Sequence, residues 1–182
     1  MYKLWAFVRQ SLIRIHLFFA KLVYKLSGGK RPKTLFCQKA NAEHIGTRVR
    51  VVSSDKYSTT IAKFDADGNM SDEDFVILTG TDLHLDHGME NNEKTVERFV
   101  RHIKDIKPDL IVLTGDIILT DTQQIDAIQF AQMMEKLGIY WTAVFGNHEV
   151  REERGFYKYL LLKDFADYEH CLCKLGPDEL FG

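Results

Sequence analysis

The sequence predicts an α/β domain built on a parallel sheet, and three observations carry that expectation. Three short apolar runs, Phe75-Val-Ile-Leu, Leu110-Ile-Val-Leu and Trp141-Thr-Ala-Val-Phe145, have the length and composition of buried strands. Segments with helical spacing separate them, so the order is strand, helix, strand, helix, strand, the pattern of βαβ units. Each run is followed at once by a polar motif: Thr81-Asp82-Leu83-His84, Thr114-Gly115-Asp116 and Gly146-Asn147-His148-Glu149. A parallel sheet brings the carboxyl ends of its strands to one edge, where ligands of open α/β sheets collect. The three motifs are therefore expected to converge.

At 182 residues the chain is long enough for one domain with a sizeable core. Hydrophobic residues at 45% and charged residues at 27% are those of an ordinary globular protein. The formal charge of −2 gives no global attraction to nucleic acid, and none is expected as a partner. Charge is nevertheless uneven. Lys3, Arg9, Arg14, Lys21, Lys25, Lys30, Arg31 and Lys33 occur before any acid, and acids concentrate from Asp65 onward. A basic end of this kind suits a polyanionic surface.

Residues 2–26 contain no Pro or Gly and read as one helix that ends at Ser27-Gly28-Gly29. Lys3, Gln10, Arg14, Lys21 and Lys25 fall on one narrow helical face, and most of the remainder is apolar. Arg14 and His16 sit near the middle, where a spanning segment tolerates charge poorly. A basic stripe beside a wide apolar face instead suits a helix lying in a membrane interface, with a signal-anchor and packing on a domain as alternatives. The expected localisation is cytoplasmic or membrane-associated. Residues 1–29 are thus taken as a basic amphipathic helix and 30–47, polar and containing Pro32, as a linker. Residues 48–182 form the folded domain.

Arg48–Ser53 and Thr59–Phe64 alternate in polarity around Asp55-Lys-Tyr-Ser and predict a β-hairpin. Asp65-Ala-Asp-Gly68 reads as a turn, since the spacing of a calcium loop is not met. A helix is expected from Asn92 to Lys107, with Val96, Phe99, Val100, Ile103 and Ile106 inward and Pro108 as its stop. Asp121-Thr122 can cap the next helix, which turns Ala127, Phe130, Ala131, Met134 and Leu137 inward and stops at Gly138. The last strand is expected over Ile139–Phe145 and a third helix over Arg151–Phe165. Cys171 and Cys173 would share one face of a strand, but no second Cys pair completes a soft-metal site, so they read as buried or idle thiols. The odd, low cysteine count offers no disulfide framework.

The motifs suggest metal chemistry. Alternation at a strand end lets Asp82 and His84 reach one ion together. Gly115 lets the backbone turn so that the Asp116 carboxylate can reach the crevice, and Asn147 and His148 add an oxygen and an imidazole. Oxygen and imidazole donors without thiolate select Mn, Fe or Zn. One carboxylate shared by two ions about 3.5–4 Å apart would make a dinuclear hydrolytic site.

Asp82-Leu83-His84, Gly115-Asp116 and Gly146-Asn147-His148-Glu149 together closely resemble the signature of the calcineurin-like metallophosphoesterases, over about residues 74–182. The run Lys107-Pro-Asp-Leu-Ile-Val-Leu-Thr-Gly-Asp116 looks most like the purple-acid-phosphatase-like members. The resemblance implies an α/β/β/α sandwich, of which this chain would form the N-terminal half behind its amphipathic helix. It implies two divalent metal ions, with Asp82 and His84 on the first, Asp116 bridging and Asn147 on the second. His148 would contact the phosphoryl group and protonate the leaving oxygen, and Glu149 would orient His148. The family completes its site with a later His and a Gly-His-x-His motif, whereas only His170 follows His148 here. His170 lies too early to serve as that ligand. The implied function is metal-dependent phosphate-ester hydrolysis, and the chain is expected to be an incomplete form with weak activity alone. An open apolar sheet face would favour self-association. The alternative is a non-catalytic membrane-surface module acting through residues 1–26, or a degenerate phosphoesterase-like protein.

Overall fold

The computed structural model describes Ile15 and residues 42–85, 90–119, 123–149 and 158–174. The expected amphipathic helix, apart from Ile15, and most of the expected linker lie outside the described residues, as does the cap Asp121-Thr122.

The chain opens with an antiparallel hairpin, β1 (Val49–Ser54) and β2 (Thr59–Lys63), as the alternating segments predict. Asp55 closes its loop: Oδ1 accepts the amides of Tyr57 and Ser58, each at 2.7 Å. Asp65 does the same for the following turn, with Oδ1 accepting Asp67 N–H at 3.0 Å and Asn69 N–H at 2.8 Å. Gly68 there takes φ +85°. Turn chemistry is therefore the use of Asp65-Ala-Asp-Gly68.

The domain centre is a three-stranded parallel sheet in the order β3 (Ile77–Gly80), β4 (Leu110–Leu113), β5 (Trp141–Ala143). The crossovers contain α1 (Glu90–Ile106) and α2 (Gln123–Leu137), and α3 (Lys158–Ala166) follows. Lys107 adopts φ +51° after α1, just ahead of Pro108, so the helix stops one residue earlier than expected. Residues 150–157, the start of the expected third helix, lie outside the described residues.

One apolar core joins the helices to the sheet. Val96, Phe99, Val100 and Ile103 from α1 meet Ala127, Phe130, Ala131, Met134 and Leu137 from α2, and Ile111, Leu113 and Trp141 from the strands. Phe130 is its hub, with ring centroids 6.3 Å from Phe99, 5.7 Å from Trp141 and 6.4 Å from Phe165. Ile106, expected inward, is 45% exposed, because it is the last residue of α1.

Two of the runs expected to be buried strands are only partly so. In the first, pairing begins at Ile77 and runs to Gly80, and Phe75, Val76 and Ile77 are all exposed. β3 is an edge strand, and among the described residues one face of it has no cover, whereas a fully apolar strand wants both faces packed. In the last, the strand covers only Trp141–Ala143, and Val144, beyond it, is 61% exposed. On β4, burial alternates: Ile111 and Leu113 face the helical core, and Leu110 and Val112 face the other side.

Polar contacts fasten the hairpin to the sheet. Lys63 Nζ donates to Asp109 Oδ2 at 3.0 Å, and the same oxygen accepts Val76 N–H at 2.8 Å just before β3. Near the start of the described domain, Ile45 and Gly46 donate to the Leu137 carbonyl and so satisfy the end of α2.

Candidate metal centre

The three motif loops leave the sheet side by side and keep pairing after the strands end. Thr114 N–H donates to the Gly80 carbonyl and Val144 N–H to the Leu113 carbonyl, both at 2.9 Å. Further out, Asp82 N–H reaches the Gly115 carbonyl at 3.1 Å, His84 N–H the Asp116 carbonyl at 3.0 Å and Leu85 N–H the Ile117 carbonyl at 2.8 Å. Loop backbone that would otherwise need water is thereby satisfied internally.

The second and third loops meet at two glycines. A Cβ on Gly115, whose φ is +115°, would lie 2.9 Å from Gly146 N. A Cβ on Gly146 would lie 2.1 Å from Asp116 Oδ1 and 2.7 Å from Asp116 N. Only residues without a side chain allow this approach.

Glu149, 1% exposed, ties the same loops together. Its Oε2 accepts Asp116 N–H at 3.0 Å and Gly146 N–H at 2.8 Å, and its Oε1 accepts Ile118 N–H at 2.8 Å. Asp116 reciprocates, with Oδ1 accepting His148 N–H at 2.9 Å. The sequence reading gave Glu149 the task of orienting His148. The structure shows a hold on the backbone of both loops, a contact that residue type alone does not reveal.

Backbone strain collects at the same place. Asp82, His84 and Asp116 adopt φ of +54°, +47° and +51°, and they are three of the four non-glycine residues with positive φ among those described. A side chain in this region costs roughly 1–2 kcal/mol. Such strain clusters where function holds it.

His84, Asp116 and His148 offer donor atoms that all lie within 4.8 Å of one another. His84 Nε2 is buried, makes no hydrogen bond, and lies 3.8 Å from Asp116 Oδ2 and 3.5 Å from Asp82 Oδ1. The His84 and His148 rings meet edge to face at 4.9 Å between centroids. Asp116 is the less exposed carboxylate of the set, its side chain 14% exposed against 57% for Asp82. Asp82 is fixed by its neighbour, with Thr81 Oγ1 donating to Oδ2 at 2.6 Å. Two imidazoles, one half-buried carboxylate and a buried imidazole nitrogen without a hydrogen bond fit a divalent transition metal.

Residues 75–180 match the family model of the calcineurin-like phosphoesterases. The chain belongs to that family. No curated relative and no solved structure matches it.

In this calcineurin-like phosphoesterase domain the three motifs stand at the ends of three successive parallel strands. Four of the expected site residues, Asp82, His84, Asp116 and His148, are brought together in this phosphoesterase domain. Asn147, expected on a second metal, is exposed in the loop between Gly146 and His148. His170 lies elsewhere, with Nδ1 3.0 Å from Glu135 Oε1 and its ring beside Tyr140, so its contacts are those of a packed histidine. Thr81 opened the first motif in the sequence but was given no role there. Its place beside the Asp-x-His pair was the available signal.

Proposed function

We propose that this chain hydrolyses a phosphate ester with the aid of divalent metal held by the three loops. The observation that carries the reading is the cluster of His84, Asp116 and His148 around an unsatisfied buried imidazole nitrogen, inside a calcineurin-like phosphoesterase domain.

In its finer form the centre would take two ions drawn from Mn, Fe and Zn, with Asp82 and His84 to hold the first, Asp116 to serve both and Asn147 to hold the second. Bound metal would supply a nucleophilic water at neutral pH and neutralise charge on the phosphoryl group. The chain's own residues do the rest. Asp116 uses Oδ1 to fix the His148 loop and turns Oδ2 toward His84, so a single carboxylate both builds the loop and serves the donor set. His148 is half-buried and edge-on to His84, placed to hold a proton for the leaving oxygen. Glu149 keeps the loop spacing fixed while substrate enters.

We assign the chain to the purple-acid-phosphatase-like branch on the run that ends at Asp116. Residues 1–26 are proposed to lie on a membrane surface, on the strength of their basic stripe; among the described residues no helix is long and apolar enough to cross a membrane. The proposed localisation is correspondingly cytoplasmic or at a membrane surface. The uncovered apolar residues Phe75, Val76 and Ile77 support self-association.

The test of the catalytic reading is hydrolysis of an aryl phosphate monoester and an aryl phosphate diester with added Mn or Zn. Metal-dependent turnover by the intact chain, lost in Asp116→Asn and in chelator, is the expected result. Equal turnover in Asp116→Asn would remove the reading.

A further inference from the structure

A second cluster of reactive side chains lies on the far side of β5, outside the metal centre. The segment around Cys171 runs parallel to β5: Trp141 N–H donates to the His170 carbonyl at 2.9 Å and Leu172 N–H to the Trp141 carbonyl at 2.8 Å. Alternation then turns Cys171 and Cys173 to one side. Both are free thiols. Cys173 Sγ also accepts Ala143 N–H at 3.1 Å and stands 3.7 Å from Thr142 Oγ1. It forms part of the wall of a cavity of about 530 Å³, lined by Tyr57 and Ile61 of the hairpin and by Leu110, Phe145 and Leu172.

We infer that Cys171 and Cys173 form a redox modification site, in which Cys173 reacts with a small hydroperoxide entering the cavity and Cys171 resolves the product. The groups around Cys173, its neighbour Cys171 first and then the Ala143 amide, lower its pKa against the opposing effect of burial. Cys171 is pushed up by its neighbour Cys173 and by burial. The division of labour rests on position: Cys173 lines the cavity and its sulfur accepts the Ala143 amide, whereas Cys171 is not part of that wall and is kept for the second step.

In the first step the Cys173 sulfur attacks one peroxide oxygen. An S–O bond forms as the O–O bond breaks, hydroxide leaves and takes up a proton as water, and Cys173 is oxidised by two electrons to the sulfenic acid. In the second step the Cys171 sulfur attacks the Cys173 sulfur, and the sulfenic oxygen leaves as water with the Cys171 proton. Two thiols and one hydrogen peroxide give one disulfide and two waters.

The experiment treats the full chain with hydrogen peroxide near neutral pH, blocks residual thiols and maps the peptides by mass. The wild-type peptide containing Cys171 and Cys173 is expected to lose two hydrogens, reversibly with dithiothreitol. In Cys171→Ser, Cys173 is expected to stay one oxygen heavier and to capture a cyclic 1,3-diketone. The inference is overturned if Cys173 remains a free thiol after this treatment, or if the oxidised wild-type peptide carries added oxygen and no disulfide. Both of those readings come from wild type and do not depend on a variant folding.

Discussion

Glu149 and Asp116 hold each other's loops in place. Glu149 Oε2 accepts the Asp116 amide at 3.0 Å, and Asp116 Oδ1 accepts at 2.9 Å the amide of His148, the residue just before Glu149. Two carboxylates at two strand ends thus fix the backbone that presents both of them.

Glu149→Gln replaces one acceptor oxygen with an amide that faces backbone N–H groups. We expect a loss of about 1–3 kcal/mol in stability, the cost of leaving buried donors unpaired, together with weaker metal binding. Urea denaturation and Zn titration of the same variant check both.

Gly146→Ala places a methyl group on Asp116 Oδ1 and its amide, and Gly115→Ala places one against Gly146 N in a left-handed backbone. Both loops must shift. We expect each variant to lose metal binding outright, while far-ultraviolet circular dichroism still reports the helices that pack on the sheet.

Left-handed residues give a test that separates strain from support. His84→Gly relieves φ +47° and removes a buried nitrogen that has no hydrogen bond, so the metal-free chain is expected to become more stable by about 1 kcal/mol while metal affinity falls. Lys107→Gly relieves φ +51° at the end of α1 and should stabilise by a similar ~1 kcal/mol without touching metal binding. Thermal melts with and without Zn compare the two.

Much of this architecture was legible in the sequence. The apolar runs, the Pro108 stop and Gly138 located the elements, because periodicity and backbone chemistry act locally. The convergence of His84, Asp116 and His148 followed from parallel strands alone. Less visible was whatever depends on neighbours. Phe75–Ile77 have no cover on one face among the described residues; the apolar run alone does not show this, and an open sheet face was expected only from the family resemblance. The left-handed backbone at Asp82 and His84 contradicts local preference and persists only because the Gly115 and Asp116 carbonyls accept their amides. The Glu149 contacts join residues about 30 positions apart, and a motif that shows only Glu beside His suggests a shorter reach.

Acid should loosen the hairpin region before it affects the apolar core. The Tyr57 amide lowers the pKa of Asp55, the Asn69 amide that of Asp65 and the Arg48 side chain that of Glu73. A carboxylate held below its unfolded pKa contributes stability that is complete above the unfolded value and is lost as pH falls through the folded one. The loss is therefore expected from about pH 4 downward. Asp55→Asn and Asp65→Asn should flatten that acid limb in a pH series of denaturation midpoints; an unchanged limb would contradict it.

The most direct measurement is metal content of the purified, dialysed full chain and of Asp116→Asn, by elemental analysis after loading with Mn or Zn. We expect the wild-type chain to retain divalent metal and Asp116→Asn to retain none. Equal retention by the two, or none in the wild type, would contradict a metal centre built on His84, Asp116 and His148.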